Sequence, residues 1–160
     1  MNGRIKTLVM LAMVTVTVGL FSLPGLVRAN DNCTNVKGNL SVVNDLDGTT
    51  SGIITQGGKL NGTTKATFSS APVPTPDAGT ISYIDNFSIT TSKGTLVTSN
   101  VAIYDTANGF FSEIARIDQN TSEGDFMGAR GTLFINGYTT DGGATFQAKI
   151  DGEICFTSNR

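Results

Sequence analysis

Histidine is absent from all 160 residues. This removes Ser-His-Asp and Cys-His catalysis, and with them imidazole-ligated zinc or haem. Cysteine is nearly as scarce: Cys33 and Cys155 are the only two, too few for a cysteine metal cluster, and neither a metal nor a cofactor is expected. Positive charge is sparse, with 11 Lys and Arg against 13 Asp and Glu. Three of the basic residues, Arg4, Lys6 and Arg28, fall in the first 29 positions, and the remainder carries 8 basic and 13 acidic residues, a net charge of −5. A chain of that sign is repelled by phosphate backbones, whose binding depends on Lys and Arg, so nucleic acid is not an expected partner. Long helical periodicity is missing beyond residue 30, as is any repeat of solenoid or propeller length.

What is present begins with a leader. Arg4 and Lys6 precede an uncharged apolar run over 8–21, followed by Pro24 and by Val27-Arg28-Ala29. A basic start, an apolar stretch and small residues at the third-last and last positions compose a secretory signal peptide cut after Ala29. The domain plan is therefore a signal peptide at 1–29 and one mature domain at 30–160. A retained anchor over 7–27, nearly long enough for a bilayer core of roughly 30 Å, is the alternative that Pro24 and the cleavage-like end argue against. Export implies a secreted or periplasmic location with no membrane span after cleavage. In such a compartment Cys33 and Cys155 read as a disulfide. It closes a loop of about 120 residues, worth roughly 4–5 kcal/mol by the loop-entropy argument.

The mature chain reads as short alternating runs divided by turn residues. The last run is the clearest: Phe146, Ala148, Ile150, Ile154 and Phe156 share one parity, while Thr145, Gln147, Lys149, Asp151 and Glu153 take the other. That is a strand with one buried and one wet face. Seven others are expected at 35–43, 51–56, 60–70, 80–91, 95–104, 110–118 and 131–139, with turns at Gly57-Gly58, 92–94, 105–109 and 141–143. Residues 71–79 hold three prolines and read as a surface loop.

Eight sequential strands with short connections predict an all-β fold, an eight-stranded antiparallel up-and-down β-barrel, which leaves no sheet edge exposed. A two-sheet sandwich is the rival. Cys33 lies opposite in parity to Val36, Leu40 and Val42, and Cys155 opposite to Ile154 and Phe156. Both thiols thus belong on the polar sides of the first and last strands, where antiparallel neighbours bring them together.

The stretch EGDFMGARGTLFINGYTT, residues 123–140, poses the choice between a phosphate loop and a bent sheet. A phosphate loop leads from a strand into a helix. Here Gly124, Gly128 and Gly131 lead into Thr132-Leu133-Phe134-Ile135, a strand, and no P-loop lysine follows. Glycines so placed mark bulges and sharp barrel bends. The run Gly124-Asp125-Phe126-Met127-Gly128-Ala129-Arg130-Gly131, with Gly109-Phe110-Phe111-Ser112-Glu113 before it and Gly152-Glu153-Ile154 after it, resembles the allene oxide cyclase-like barrel superfamily and its dirigent branch. The similarity is strongest over about the last fifty residues, and Ser122-Glu123 stand where those families more often carry glycine and threonine. The resemblance implies a calycin-like barrel with an elongated apolar cavity, often assembled as a trimer, that steers cyclisation or coupling of reactive apolar molecules. It carries over no catalytic residue, and Gly124, Phe126, Gly128, Arg130 and Gly131 match it as a structural motif.

Carboxylates, tyrosines and arginines are the chemistry that remains. Asp85 interrupts the apolar parity of Ile81, Tyr83, Phe87 and Ile89. Two readings stand: Asp85 and Tyr83 line a polar spot in the barrel, or this parity faces solvent or a partner subunit. An acid on the inner face is costly unless paired or wet, and such groups mark sites. The strand at 110–118 has a charge on each face, so either Glu113 or Arg116 points inward; an inward Arg116 would pair with Asp85 or hold an anion, and a surface ion pair is the plainer alternative. Tyr104 offers a hydroxyl to a ligand, and Arg130 a brace at the rim. Asp45-Leu46-Asp47-Gly48 faintly resembles a calcium loop but lacks the remaining ligands, and reads as a solvated turn. Asn-x-Ser/Thr triplets at Asn32, Asn39, Asn61, Asn86 and Asn120 arise easily in so polar a chain and decide nothing. The expected role is binding of a small apolar molecule in the barrel. A cyclase- or isomerase-like enzyme and a structural protein with a filled barrel are the alternatives.

Overall fold

The structure is a computed structural model that describes residues 31–157; the leader read at 1–29 lies outside the described residues. Among the described residues nine strands form one antiparallel sheet: β1 (Asp31–Asn44), β2 (Thr49–Thr55), β3 (Gly62–Phe68), β4 (Val73–Pro74), β5 (Thr80–Thr91), β6 (Gly94–Asp105), β7 (Phe110–Ile117), β8 (Arg130–Tyr138) and β9 (Thr145–Thr157). Eight of them close into a barrel, because β1 pairs with both β2 and β9 and β3 pairs with β5. The two-residue β4 is the extra strand. It extends the edge of β5 beyond the point where β3 ends, pairing Val73 with Ser82 and Pro74 with Ile81. The loop expected over 71–79 thus carries a short strand, with its prolines confined to an edge. The expected run 80–91 coincides with β5. The run expected from residue 60 begins two residues later, because Gly58–Leu60 forms a 3-10 turn whose entry is held by Gly57 N–H donating to Asn61 Oδ1 at 2.7 Å.

The seam between the first and last strands is the longest pairing, running from Asp31 opposite Thr157 to Val43 opposite Thr145. Cys33 stands directly opposite Cys155 in this register, and the two form a disulfide with Cα atoms 3.9 Å apart. The closed ring of pairings excludes the sandwich rival.

One end of the barrel is sealed. Leu60 from the 3-10 turn, with Phe126 and Ala129 from the β7–β8 connection, is buried against Ile89, Leu96, Ile117 and Ile154. Burying each large aliphatic or aromatic side chain contributes about 1.5–3 kcal/mol. The glycine-rich stretch divides between two tasks. Gly124–Phe126 is a 3-10 turn, and Gly124 (φ 63°) lies so near β6 that a Cβ there would strike the Lys93 carbonyl oxygen. Gly131 lies within β8 at φ 138°, where a Cβ would collide with the Glu153 carbonyl oxygen across the sheet. Half of the motif is therefore a turn that inserts Phe126 as a plug, and half is the strand bend that the sequence suggested.

The inward faces are not the ones hydrophobicity alone would choose. On β6 the inner parity is Leu96, Thr98, Asn100, Ala102 and Tyr104, while Val101 and Ile103 are exposed. Ile84, Val101, Ile114 and Phe134 stand side by side across β5 to β8 as an outward apolar row. Among the described residues no helix is long and apolar enough to cross a membrane.

Replacing Cys33 and Cys155 together by serine is expected to lower unfolding stability by roughly 2–5 kcal/mol without altering the barrel, read by chemical denaturation and far-ultraviolet circular dichroism. Loss of strand signal in the native buffer would mean the seam depends on the bridge to form at all.

Candidate functional site

The end opposite the plug is open. Antiparallel alternation brings the β1–β2, β3–β5, β6–β7 and β8–β9 connections to this end, and beneath them lies a cavity of about 260 Å³. Its wall is mostly apolar, with Leu40 and Val42 from β1, Phe87 from β5, Phe111 from β7, Ile135 from β8 and Phe146 from β9. Phe146 meets Tyr104 and Phe111 edge to face at centroid separations of 5.9 and 5.4 Å, and Phe68 meets Tyr83 likewise at 5.2 Å. Such edge-on pairs hold aromatic walls in place. A second hollow, of about 320 Å³, lies at the sealed end; its polar border residues, Thr34, Lys59, Lys93 and Asp125, are all exposed.

Among the described residues the cavity wall carries one charged side chain, Glu113. The Tyr83 hydroxyl donates to its Oε1 at 2.7 Å, and the Asn100 amide donates to its Oε2 at 3.0 Å. Thr98 in turn donates its hydroxyl to Asn100 Oδ1 at 2.7 Å, so Asn100 is held with its amide toward the acid. Asp85 completes the group. It sits directly opposite Asn100 in the β5–β6 register, is 2 % exposed, and its Oδ1 has no hydrogen-bond partner. Asp85 shares its inward parity with Tyr83 and Phe87, which both line the cavity.

Two acids so near one another in an apolar barrel do not both ionise readily. Burial, reinforced by the Glu113 charge, pushes Asp85 from its ordinary 3.8 up to about 7. Burial also raises Glu113, against the opposing pull of the hydrogen bonds from Tyr83 and Asn100. Because both Glu113 oxygens receive donors, Glu113 is the member set up to carry the negative charge, and Asp85 is the one set up to keep the proton. Burial first, and then Glu113, raise the Tyr83 phenol well above its usual range, so it stays a donor.

Of the residues singled out from sequence, Tyr83, Asp85, Tyr104 and Glu113 are brought inside the barrel. The open choice on β7 falls to Glu113. Arg116 is exposed on the outer face and pairs in register with Ser99 and Thr132, so neither an Asp85–Arg116 pair nor anion binding by an inward Arg116 occurs. The physical reason is that Ala115 and Ile117 belong to the buried core, which turns Arg116 outward. Arg130 is half-buried at the start of β8, opposite Cys155 and far along the barrel from the cavity mouth. Asp45 and Asp47 are committed to their own turn. Asp47 Oδ1 accepts the Thr49 N–H and hydroxyl at 2.9 and 2.6 Å, and Asp45 Oδ1 accepts the Ser51 hydroxyl at 3.0 Å. Cys33, Cys155 and Glu153 bring three potential ligand atoms within 4.8 Å of one another, but both sulfurs are spent in the disulfide.

Thr98 and Asn100, both fully buried, are the site residues that sequence reasoning missed. A signal existed: once β5 and β7 are oriented by Phe87, Ile89, Ala115 and Ile117, the β6 register forces Thr98 and Asn100 inward. No family model, curated protein or solved structure matches this chain.

The acid pair should be visible in stability. The folded chain holds the Asp85 proton more tightly than the unfolded chain does, so this contribution is full below about 3.8 and is lost as pH rises through about 7. Asp47, Asp105, Asp118 and Asp141 act in the opposite sense, since hydrogen bonds lower each of them and their contribution is lost on acidification. The melting temperature is therefore expected to fall between about pH 5 and about pH 7, and Asp85→Asn to flatten that decline. An unchanged slope in the variant would show that Asp85 does not titrate in this range.

Proposed function

We propose that the protein is an exported barrel that binds one small, largely apolar molecule in the open half of its interior. The observation that carries this reading is the unfilled volume itself. Eight-stranded barrels are either packed solid or leave room for one ligand, and here side chains fill the sealed end while in the other half core residues such as Leu40, Val42, Phe111 and Ile135 wall an unfilled space beside Glu113. The cavity, at about 260 Å³, lies just below the roughly 300–1,000 Å³ typical of small-molecule sites, which points to a compact ligand. Export is supported by the leader at 1–29 and by the disulfide, which fits an oxidising compartment. Membership of the allene oxide cyclase-like superfamily, with the trimer it implies, is part of the proposal and is supported by the antiparallel closure and by the glycine-rich stretch.

A second reading is favoured by one specific feature. Glu113, whose two oxygens both accept hydrogen bonds, and Asp85, raised by burial toward keeping its proton, form a coupled acid pair beside one cavity, suited to accept and donate a proton. An isomerase or cyclase would use such a pair, with cavity shape setting the product. Turnover of a bound molecule, as opposed to its unchanged release, separates the two readings.

Native mass spectrometry of protein isolated from its own host is expected to show a retained mass beyond that of the polypeptide. Ala66 lines the cavity and is only half-buried. Ala66→Phe is expected to fill the space and abolish binding of an environment-sensitive apolar fluorophore while preserving the circular dichroism spectrum. Undiminished fluorophore binding in that variant would place the ligand elsewhere and overturn the reading.

A further inference from the structure

We propose that the cavity selects a ligand with an apolar body and a single protonated amine, the ammonium seated against Glu113 at the edge of the Asp85–Asn100–Tyr83 group. This rests on the binding reading above and names the chemistry of its ligand.

Three independent features of the charge distribution lead there. First, the polar group inside the barrel is acidic, and among the described residues no basic side chain shares the cavity wall with it. All seven basic residues within 31–157 lie outside the cavity wall: Lys37, Lys59, Lys65, Lys93, Arg116 and Lys149 are exposed, and Arg130 is at the sealed end. A buried carboxylate is costly unless paired. Glu113 is relieved only by neutral donors, and its oxygens keep accepting capacity beyond the two bonds from Tyr83 and Asn100. Second, Asp85 is 2 % exposed with one carboxyl oxygen unpartnered. In a chain that satisfies Glu113, Asn100 and Thr98 by short bonds, the unpartnered Asp85 oxygen beside the cavity can accept an N–H from a ligand even while the other oxygen holds the proton. An ammonium brings one positive charge and three N–H donors, enough to meet Glu113 and offset the charge shared with Asp85.

Third, the entrance has the same sign. The connections around the mouth carry Asp45, Asp47, Asp77, Asp105 and Asp141, and no Lys or Arg occurs in residues 44–49, 69–79, 105–109 or 139–144. Asp47, Asp105 and Asp141 are held firmly ionised by hydrogen bonds from their own loops. A rim of exposed charges of one sign raises the local concentration of counter-ions at low salt. A carboxylate or phosphate ligand would be opposed at the mouth and again at Glu113, and a neutral alcohol would gain from neither. The aromatic side chains of Phe68, Tyr104, Phe111 and Phe146 on the wall supply surface that buries an apolar body.

The test compares three probes of one shape, hexylamine, 1-hexanol and hexanoate, by isothermal titration calorimetry at neutral pH and low salt. The amine is expected to bind at least about tenfold more tightly than the alcohol, hexanoate not measurably, and the preference to shrink as salt is raised. Glu113→Gln and, separately, Asp85→Asn are each expected to narrow the amine-to-alcohol ratio several-fold, with near-ultraviolet circular dichroism confirming the fold. If 1-hexanol binds as well as hexylamine to the wild type, this proposal falls while the binding reading stands. If neither probe binds and the apolar fluorophore is also rejected, both fall. A preference for hexylamine that persists undiminished in both variants also overturns the proposal, since the cation would then be recognised elsewhere.

Discussion

The seam between β1 and β9 is the constraint on which the rest of the molecule depends. Once these two strands pair along their length, the chain has no free edge at its ends, and every inward residue is committed to a common interior. The disulfide sits within that seam near the sealed end, tying together residues separated by 122 positions in sequence. Contacts this distant are the entropically expensive ones in a β-topology, and a covalent link across them restricts the unfolded chain most.

Closure produces an axis with unlike ends. At one end Leu60, Phe126 and Ala129 stop the barrel with aliphatic and aromatic bulk. At the other, loops rich in aspartate surround an unfilled, aromatic-walled space. The Asp85, Asn100, Thr98, Glu113 and Tyr83 side chains lie between the two. Their placement is unfavourable for packing, since a run of aliphatic residues would bury more apolar surface without the desolvation cost. A polar network inside a small barrel is a place where stability has been given up, and local departures of this kind are where function is expected.

The outer face shows the complementary departure. Ile84, Val101, Ile114 and Phe134 stand in a lateral row facing solvent while Thr98 and Asn100 point inward on the strand between them. The burial of β6 is therefore governed by its neighbours. Phe87 and Ile89 on one side and Ala115 and Ile117 on the other set the parity, and β6 must follow because a one-residue slip would reverse both ladders.

Sequence by itself determined the strand periodicity, the eight-strand barrel, the pairing of Cys33 with Cys155 and the scarcity of cationic or imidazole chemistry. These are local or compositional properties: alternation is written into Phe146 to Phe156, turns into paired glycines, and the absence of histidine needs no coordinates. It also singled out Asp85 and Glu113, because a charge in an apolar parity is visible in one strand. Only the tertiary structure decided that Glu113 and not Arg116 faces inward, that Thr98 and Asn100 join the acids, that β4 extends the edge of β5, and that one half of the interior stays open. Each of those outcomes depends on which strand lies beside which and in what register. A side chain's face within an ambiguous strand, and the volume left between faces, belong to the sheet as a whole and to none of its segments alone.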